Sequence, residues 1–509
     1  MSSLPVITTR LVVFLGLATS VALGQRPAEG EPPGALVILH TNDIHGQIQP
    51  LAVVSRPGVR RRVGGYLALE AYLRQARKAT KTLWLTDGGD WFQGTPEGNE
   101  DHGRAIMACR NRLEFTAVVI GNHEFDFGEK NLRALVALAR HPVLGANIVT
   151  AGDRSKVRSY VDRFIVKSID GVRVALVGLT ASETPQVSTG PFGGAVFSDE
   201  LDSLRELWPS LQKVADEIIL ITHCGLAIDR KIARAFPRIR LILGGHSHTP
   251  LPVGTQEGDT WIAQSGGKCT SISRVTLTTN KSKRRLAVQR VQLVDLQIPE
   301  AENSATVEFL DATFKHIGPK WDKPIGKITG AKDIRMRGSN QSTPAGNYVA
   351  DLIRRTAKAE VGLTNKGGLR SLLSDGAVTR RQVFQLLPFD NVVCVMQMTG
   401  RQLELVLKQG LRPGHLPLEI AGARYSYDLV DGIRALQDVE VGGHRLDPAK
   451  VYRVATNSFL AGGGDGFTAF TSIRSSAAST APLRSLMLRD IKAYGIIALS
   501  DERRIKRLD

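Results

Sequence analysis

The sequence is short of cysteine. Only Cys109, Cys224, Cys269 and Cys394 occur in 509 residues, and no two form a C-x-x-C pair. That excludes a disulfide-stapled scaffold and a thiolate zinc site, and leaves the four as small apolar residues of the interior. Aromatic residues are also scarce, at 6%. The tightest basic cluster, Arg56 with Arg60, Arg61 and Arg62, has no aromatic residue interleaved to stack bases. It reads as an exposed Pro/Gly-containing loop, and no dedicated nucleic-acid site is expected. Membrane-length apolar runs are missing as well. The run Leu11–Leu23 is too short to span a bilayer comfortably. It follows Arg10 and ends in small residues at Ala22-Leu23-Gly24, the pattern of a cleaved export signal over residues 1–24. The mature chain, from Gln25, is therefore expected to be periplasmic or secreted, with no transmembrane segment. The charged end, Arg503 to Asp509, is unlike a lipid-anchor signal.

Positive charge is in excess: 66 Lys and Arg against 49 Asp and Glu, a formal net charge of +17. Such a balance favours anionic partners, although most of these residues are spread along solvated faces. A chain this long exceeds one core and implies two domains. After a Pro/Gly/Glu stretch from Arg26 to Gly34, short apolar runs recur at Ala35–Leu39, Thr82–Leu85, Ala117–Ile120, Val172–Leu179, Glu217–Thr222 and Ile239–Leu243. Continuous runs of this length suit strands buried on both faces. Helical spacing between them, as in Leu67 to Ala79 and Leu132 to Arg140, predicts an α/β layered core over residues 35–297. Residues 298–323 read as a link, helical over Ala305 to His316. A second, smaller α/β unit spans residues 324–500.

Five polar clusters sit at the ends of the first unit's apolar runs: Asn42-Asp43-Ile44-His45, Asp87-Gly88-Gly89-Asp90, Gly121-Asn122-His123-Glu124-Phe125-Asp126, Thr222-His223-Cys224-Gly225 and Gly244-Gly245-His246-Ser247-His248. Singly, each has an ordinary structural use: a histidine satisfied in the core, an Asp-Gly turn. Together they place Asp, Asn and His where α/β sheets put their sites, with glycines that let the backbone approach a ligand. Asp43 and His45 are spaced to face one side of an extended chain. Seven ligands, Asp43, His45, Asp90, Asn122, His223, His246 and His248, are too many for one tetrahedral site. They suit two divalent ions of the Zn, Mn, Fe or Co type sharing Asp90. Two such ions against two carboxylates leave net positive charge, which attracts a phosphate dianion.

These motifs, DIH, GD-x-x-Q-G-T over Gly89 to Thr95, GNHEFD, THCG and GGHSH, resemble the calcineurin-like metallophosphoesterases, and in particular the secreted 5′-nucleotidase family. The resemblance implies a four-layer α/β/β/α metal domain followed by a substrate-binding domain. It assigns Asp43, His45, Asp90 and His248 to one metal and Asp90, Asn122, His223 and His246 to the other. It also makes His123 and Asp126 a catalytic pair.

The second half resembles the family too, in Asn365-Lys366-Gly367-Gly368-Leu369-Arg370, Pro388-Phe389-Asp390-Asn391, and Asn457 to Phe467. There the resemblance implies that Phe389 and Phe459 clamp a nucleobase. Asn365, Gly367 and Arg370 would lie against phosphate or sugar oxygens, and Asp465 would accept from ribose hydroxyls. The family's phosphate-binding arginine ahead of Gly346-Asn347 would fall near Ser339; Arg335 and Arg337 are the nearby candidates, Arg337 substituting if the loop is longer by two residues, and Ser342 stands where the family has an acid. The activity implied is release of phosphate from nucleoside 5′-phosphates. Cyclic 2′,3′-phosphodiesterases, nucleotide-sugar or dinucleotide pyrophosphatases and thiosulfate-ester hydrolases share the scaffold. A non-catalytic nucleotide-binding protein would be marked by lost ligands, and all seven are present.

Overall fold

The computed structural model describes residues 32, 34–56, 59–300, 302–331 and 340–508. The export-signal segment, Arg335 and Arg337 lie outside the described residues.

All six apolar runs form strands: Leu36–Thr41, Thr82–Asp87, Ala117–Val119, Val172–Thr180, Glu217–His223 and Ile239–Leu243. They divide between two six-stranded sheets. The first runs in the order Arg285–Asp295, Ser271–Asn280, Leu36–Thr41, Thr82–Asp87, Ala117–Val119, Val143–Leu144, and its last four strands are parallel. The second runs Thr255–Glu257, Thr260–Ala263, Ile239–Leu243, Glu217–His223, Val172–Thr180, Phe164–Ile169, with four parallel strands in the middle.

Side-chain alternation along each strand builds the layers. Leu36 and Ile38 meet Val174, Leu176, Ile219, Ile221, Leu241 and Leu243 in a core between the sheets. Val37 and Leu39 point the other way, into a core with Leu69, Leu73, Ile106 and Leu132 of flanking helices. On the far side, Val177, Leu220 and Ile242 pack on Leu204, Leu211 and Ile232 of the helices Glu200–Val214 and Leu226–Ala235. The result is helix, sheet, sheet, helix. Each buried aliphatic side chain contributes about 1.5–3 kcal/mol, and the middles of these strands carry consecutive apolar residues, as in Ala175–Val177, Ile218–Ile221 and Leu241–Leu243. Within each parallel set the strands all end on the same edge, so the polar clusters that follow them collect there.

The link forms the helix Ser304–Phe314, and its Phe309, Leu310 and Phe314 pack against the first unit's helix-side core. Beyond it, a five-stranded sheet runs Glu419–Ala421, Val361–Thr364, Val451–Asn457, Val392–Thr399, Ser475–Pro482. The helices Pro344–Ala357 and Leu483–Tyr494 cover one face and Gly400–Gly410 the other. Thr343 caps the first of these, its Oγ1 accepting from Gly346 N at 3.1 Å. Ser342, in the place of the family's acid, accepts from Arg504 N and Ile505 N, both at 2.9 Å, and so ties down the C-terminal strand.

Candidate metal centre and substrate cleft

The seven expected ligands converge. Asp43, His45, Asp90 and His248 place one donor atom each within 4.8 Å of one another. Asp43 Oδ1 lies 2.9 Å from His248 Nε2, and His45 Nε2 lies 3.1 Å from His248 Nε2 and 3.6 Å from Asp90 Oδ2. On the other side of Asp90, its Oδ2 is 3.3 Å from His223 Nε2. Asn122 Oδ1 sits 3.1 Å from His223 Nε2 and 3.0 Å from His246 Nδ1. Asp90 is thus shared by two sets of donors.

One expectation about backbone is corrected. Asp43 and His45 do not share a face of extended chain: their φ values are +50° and +51°. Asp90, His246 and His248 are also left-handed, at +57°, +72° and +51°. Such a conformation costs a non-glycine residue about 1–3 kcal/mol and persists only where the surroundings impose it. Here they do, because Asp43 N donates to Gly89 O and His45 N to Asp90 O, both at 2.9 Å, wrapping one loop on the next. The glycines are needed for the same closeness. A Cβ on Gly89 would come within 2.7 Å of His223 Nδ1, and one on Gly245 within 2.5 Å of Gly88 O.

The donors fit divalent cations. His45 Nδ1 donates to Gln93 O at 2.8 Å and His223 Nδ1 to Gly88 O at 2.5 Å, so each ring aims its Nε2 into the centre. His246 does the reverse: Nε2 donates to Glu183 Oε1 at 3.0 Å and Nδ1 faces the centre. Asp43 Oδ1 is buried without a hydrogen bond. Imidazole, carboxylate and amide oxygen together suit Zn, Mn, Fe or Co. Burial holds the His45 imidazole well below its usual pKa, with Arg370, His248 and His123 adding to the effect. Burial would also lower His223, but the Asp90 carboxylate overrides it and pushes His223 up to about 10.

His123 directly follows Asn122 and lies beside this cluster, its ring 5.4 Å from that of His45. Its Nδ1 pairs with Asp126 Oδ2 at 2.7 Å, and Asp126 Oδ1 accepts from Ser188 Oγ at 2.8 Å. Burial lowers the His123 pKa, but Asp126 and Asp90 outweigh it and the net direction is upward.

The second half closes over the centre. Arg370 Nη2 reaches His45 Nε2 at 3.0 Å, the nitrogen a cation would take. Phe389 stacks on His123 at 5.5 Å between centroids and lies 5.9 Å from the Arg370 guanidinium. Lys268 Nζ donates to Arg370 O, and Arg381 pairs with the buried Glu97 and with Asp322. Asn365 Nδ2 donates to Asp465 Oδ2 at 2.6 Å, beside Gly367, where a Cβ would sit 3.3 Å from the same oxygen. Phe459 lies against Gly464, where a Cβ would meet its ring at 2.5 Å. Phe389 and Phe459 do not stack on one another.

Several working residues escaped the sequence reading. Glu124 accepts from Asp90 N, Trp91 N and Gly121 N at 2.9, 2.6 and 2.8 Å, bracing two ligand loops; it lies inside the GNHEFD cluster. Burial and the Asp90 charge push it up to about 8. Asp87 ties the ends of two strands, accepting from Thr41 Oγ1 at 2.6 Å and Gly89 N at 3.1 Å, with the buried Arg110 at 3.3 Å. Glu183 and Ser188 follow the strand Val172–Thr180, a strand end without the glycine and histidine that flagged the others. Lys366 and Glu419 form a fully buried ion pair, which nothing local announces.

Both halves of the chain are similar to known proteins. The calcineurin-like phosphoesterase model matches residues 36–250, and the 5′-nucleotidase C-terminal domain model matches residues 324–472. The human 5′-nucleotidase is 29% identical over 491 residues, covering 85% of this chain and 84% of that protein. A trifunctional nucleotide phosphoesterase of Bacillus subtilis is 28% identical over 86% of this chain, which spans only 32% of that longer protein. The crystal structure of a 5′-nucleotidase precursor from Thermus thermophilus superposes with a TM-score of 0.83 at 27% identity, over 93% of this chain and 99% of that one. With both domain models matched in order and covering well over half of its length, the chain belongs to the 5′-nucleotidase family of phosphoric ester hydrolases, as a calcineurin-like phosphoesterase domain followed by a 5′-nucleotidase C-terminal domain.

Proposed function

We propose that the chain is an exported, two-metal hydrolase that removes phosphate from nucleoside 5′-phosphates. The observation that carries this reading is the sharing of Asp90 between two complete donor sets, directly beneath Arg370 and Phe389. Asp43, His45, Asp90 and His248 would hold one cation, and Asp90, Asn122, His223 and His246 the other. Bound there, two such cations would supply charge neutralisation and an activated water. The chain's own groups do the rest. Arg370, with Arg335 or Arg337, grips phosphate oxygens through charge-assisted bonds. His123, oriented by the Asp126 carboxylate at 2.7 Å, donates to a phosphoryl or leaving-group oxygen. Phe389 and Phe459 take the flat base, while Asn365, Gly367 and Asp465 frame the ribose. Residues 35–297, 298–323 and 324–500 would be the metal domain, the linking helix and the substrate reader. Export rests on the Arg10, Leu11–Leu23 and Ala22–Gly24 pattern.

The test is a substrate panel on metal-stripped protein, with Mn, Zn, Co and Mg added back separately. AMP turnover that returns with metal, saturates at two ions per chain and exceeds that on 2′,3′-cyclic AMP, UDP-glucose and NAD supports the reading. Faster turnover of any of those three assigns the scaffold's alternative chemistry. Metal-independent, negligible turnover of all four leaves only nucleotide binding.

A further inference from the structure

The segment Glu183–Thr189, which contains the single-turn helix Thr184–Val187, touches three parts of the centre at once. Glu183 Oε1 accepts from His246 Nε2 at 3.0 Å. Val187 O accepts from Asn122 Nδ2 at 3.3 Å. Ser188 Oγ donates to Asp126 Oδ1 at 2.8 Å, and Thr189 N reaches the same oxygen at 3.4 Å. One short stretch therefore sets the ring orientation of one ligand, the amide orientation of a second, and the carboxylate that aligns His123.

The same stretch faces the other half of the molecule. Thr184–Val187 packs against the turn Gly464–Gly466, which carries Asp465. Glu183 and Asp465 both act electrostatically on His415, whose ring lies under Gly466, where a Cβ would be 3.2 Å from His415 Cε1. The Arg370 and Phe389 side reaches His45 and His123 directly.

We propose that Glu183–Thr189 is a strap through which the sugar-bearing half of the substrate sets the geometry of the centre, with Glu183 and Ser188 as positioning residues. The proposal rests on the nucleotidase reading above. A substrate that engages the Asp465 turn holds that turn against the strap, and the strap holds His246, Asn122 and Asp126 in line. Binding energy gained away from phosphorus then appears in kcat rather than in KM. A phosphate ester with the same kind of leaving group but no nucleoside forfeits that gain.

Two measurements test it. In the first, kcat and KM are compared for AMP and n-propyl phosphate, both esters of a primary alcohol, in the wild-type protein and in Ser188→Ala. Wild-type kcat should be higher on AMP. In Ser188→Ala, kcat on AMP should fall about tenfold, in line with loss of an outer contact to a catalytic group. Its KM for AMP should stay within about twofold, and the kcat ratio between the two esters should contract. In the second, metal-stripped Glu183→Gln is titrated calorimetrically with Mn. One of two binding steps should weaken about tenfold while the other stays as in wild type. An unchanged kcat ratio, with both esters slowed equally or neither slowed, overturns the strap, as does unaltered Mn binding in Glu183→Gln. Failure of the wild-type protein to hydrolyse AMP at all overturns the nucleotidase reading instead.

Discussion

Replacing Lys366 by Met should destabilise the substrate-reading half without altering the metal centre. Lys366 and Glu419 are both fully buried. Glu419 Oε1 also accepts from Thr343 Oγ1 at 2.7 Å and Thr343 N at 3.1 Å, and Lys366 Nζ donates to Gln341 O at 2.9 Å. The pair thus staples the start of the helix Pro344–Ala357, the Asn365–Arg370 turn and the strand Glu419–Ala421. Removing one member of a buried pair costs about 3–5 kcal/mol, because the other charge is left uncompensated. Thr343 still supplies two donors to Glu419, which places Lys366→Met at the lower end, about 3 kcal/mol. For a cooperative unit of 150–250 residues that lowers Tm by about 6–12 °C. Circular dichroism melts and urea titrations with Mn present would read it. The double variant Lys366→Met/Glu419→Leu removes both charges and should recover to within about 1–2 kcal/mol of wild type, the remainder being the partnerless Thr343 N–H. In Glu419→Gln the lysine has lost the carboxylate that supports its charge, and burial already lowers its pKa. Its folded pKa then lies further below the unfolded value, the unfolded chain binds more protons, and stability should climb as pH rises toward the unfolded lysine value of about 10.4. A Lys366→Met melt within 2 °C of wild type, or a double variant no better than the single, refutes the argument.

Other expectations concern the centre itself. His123→Ala should lower kcat on AMP by about 10²–10⁴-fold while two Mn ions still bind, the span of a lost general acid; steady-state kinetics with a calorimetric metal count checks both halves. Arg370→Ala should lower kcat/KM by about 10–100-fold, the worth of a hydrogen bond to a charged group, and Arg370→Lys should restore only part, since an ammonium cannot form the fork. Metal-free His223, held up to about 10 mainly by Asp90 against the pull of burial, is protonated at pH 7.5. Metal binding should therefore release a proton, and apparent affinity should rise about tenfold per pH unit between pH 6 and 9. Calorimetry in two buffers of different ionisation enthalpy counts that proton, and a count of zero contradicts the electrostatics.

The legible parts of this molecule share one physical property: their signal is local. A strand buried on both faces must be apolar at consecutive positions, so Val172–Thr180 and Glu217–His223 announce themselves. A parallel strand ends where its neighbours end, so the order of the apolar runs alone gathers Asp43, Asp90, Asn122, His223 and His246 on one edge. What the sequence concealed is set by contact across long separations. Asp43 and His45 are turned into the left-handed region by Gly89 O and Asp90 O, more than 40 residues away, and spacing read on an extended chain cannot anticipate that. Glu183 and Ser188 gain their roles only because the strand before them delivers the segment to His246 and Asp126. In a strand-end cluster with neither histidine nor glycine, a carboxylate and a hydroxyl look like any solvated turn. Lys366 and Glu419, 53 residues apart, have no pattern at all; each alone predicts exposure, and only the fold supplies the partner that permits burial. Ligands to a metal are therefore easier to find from sequence than the residues that aim them. Ligand chemistry restricts the residue type at each place, whereas a neighbour that orients a ring needs only an oxygen at the right distance, and Gln93, Gly88 and Glu183 supply it as two backbone carbonyls and one carboxylate.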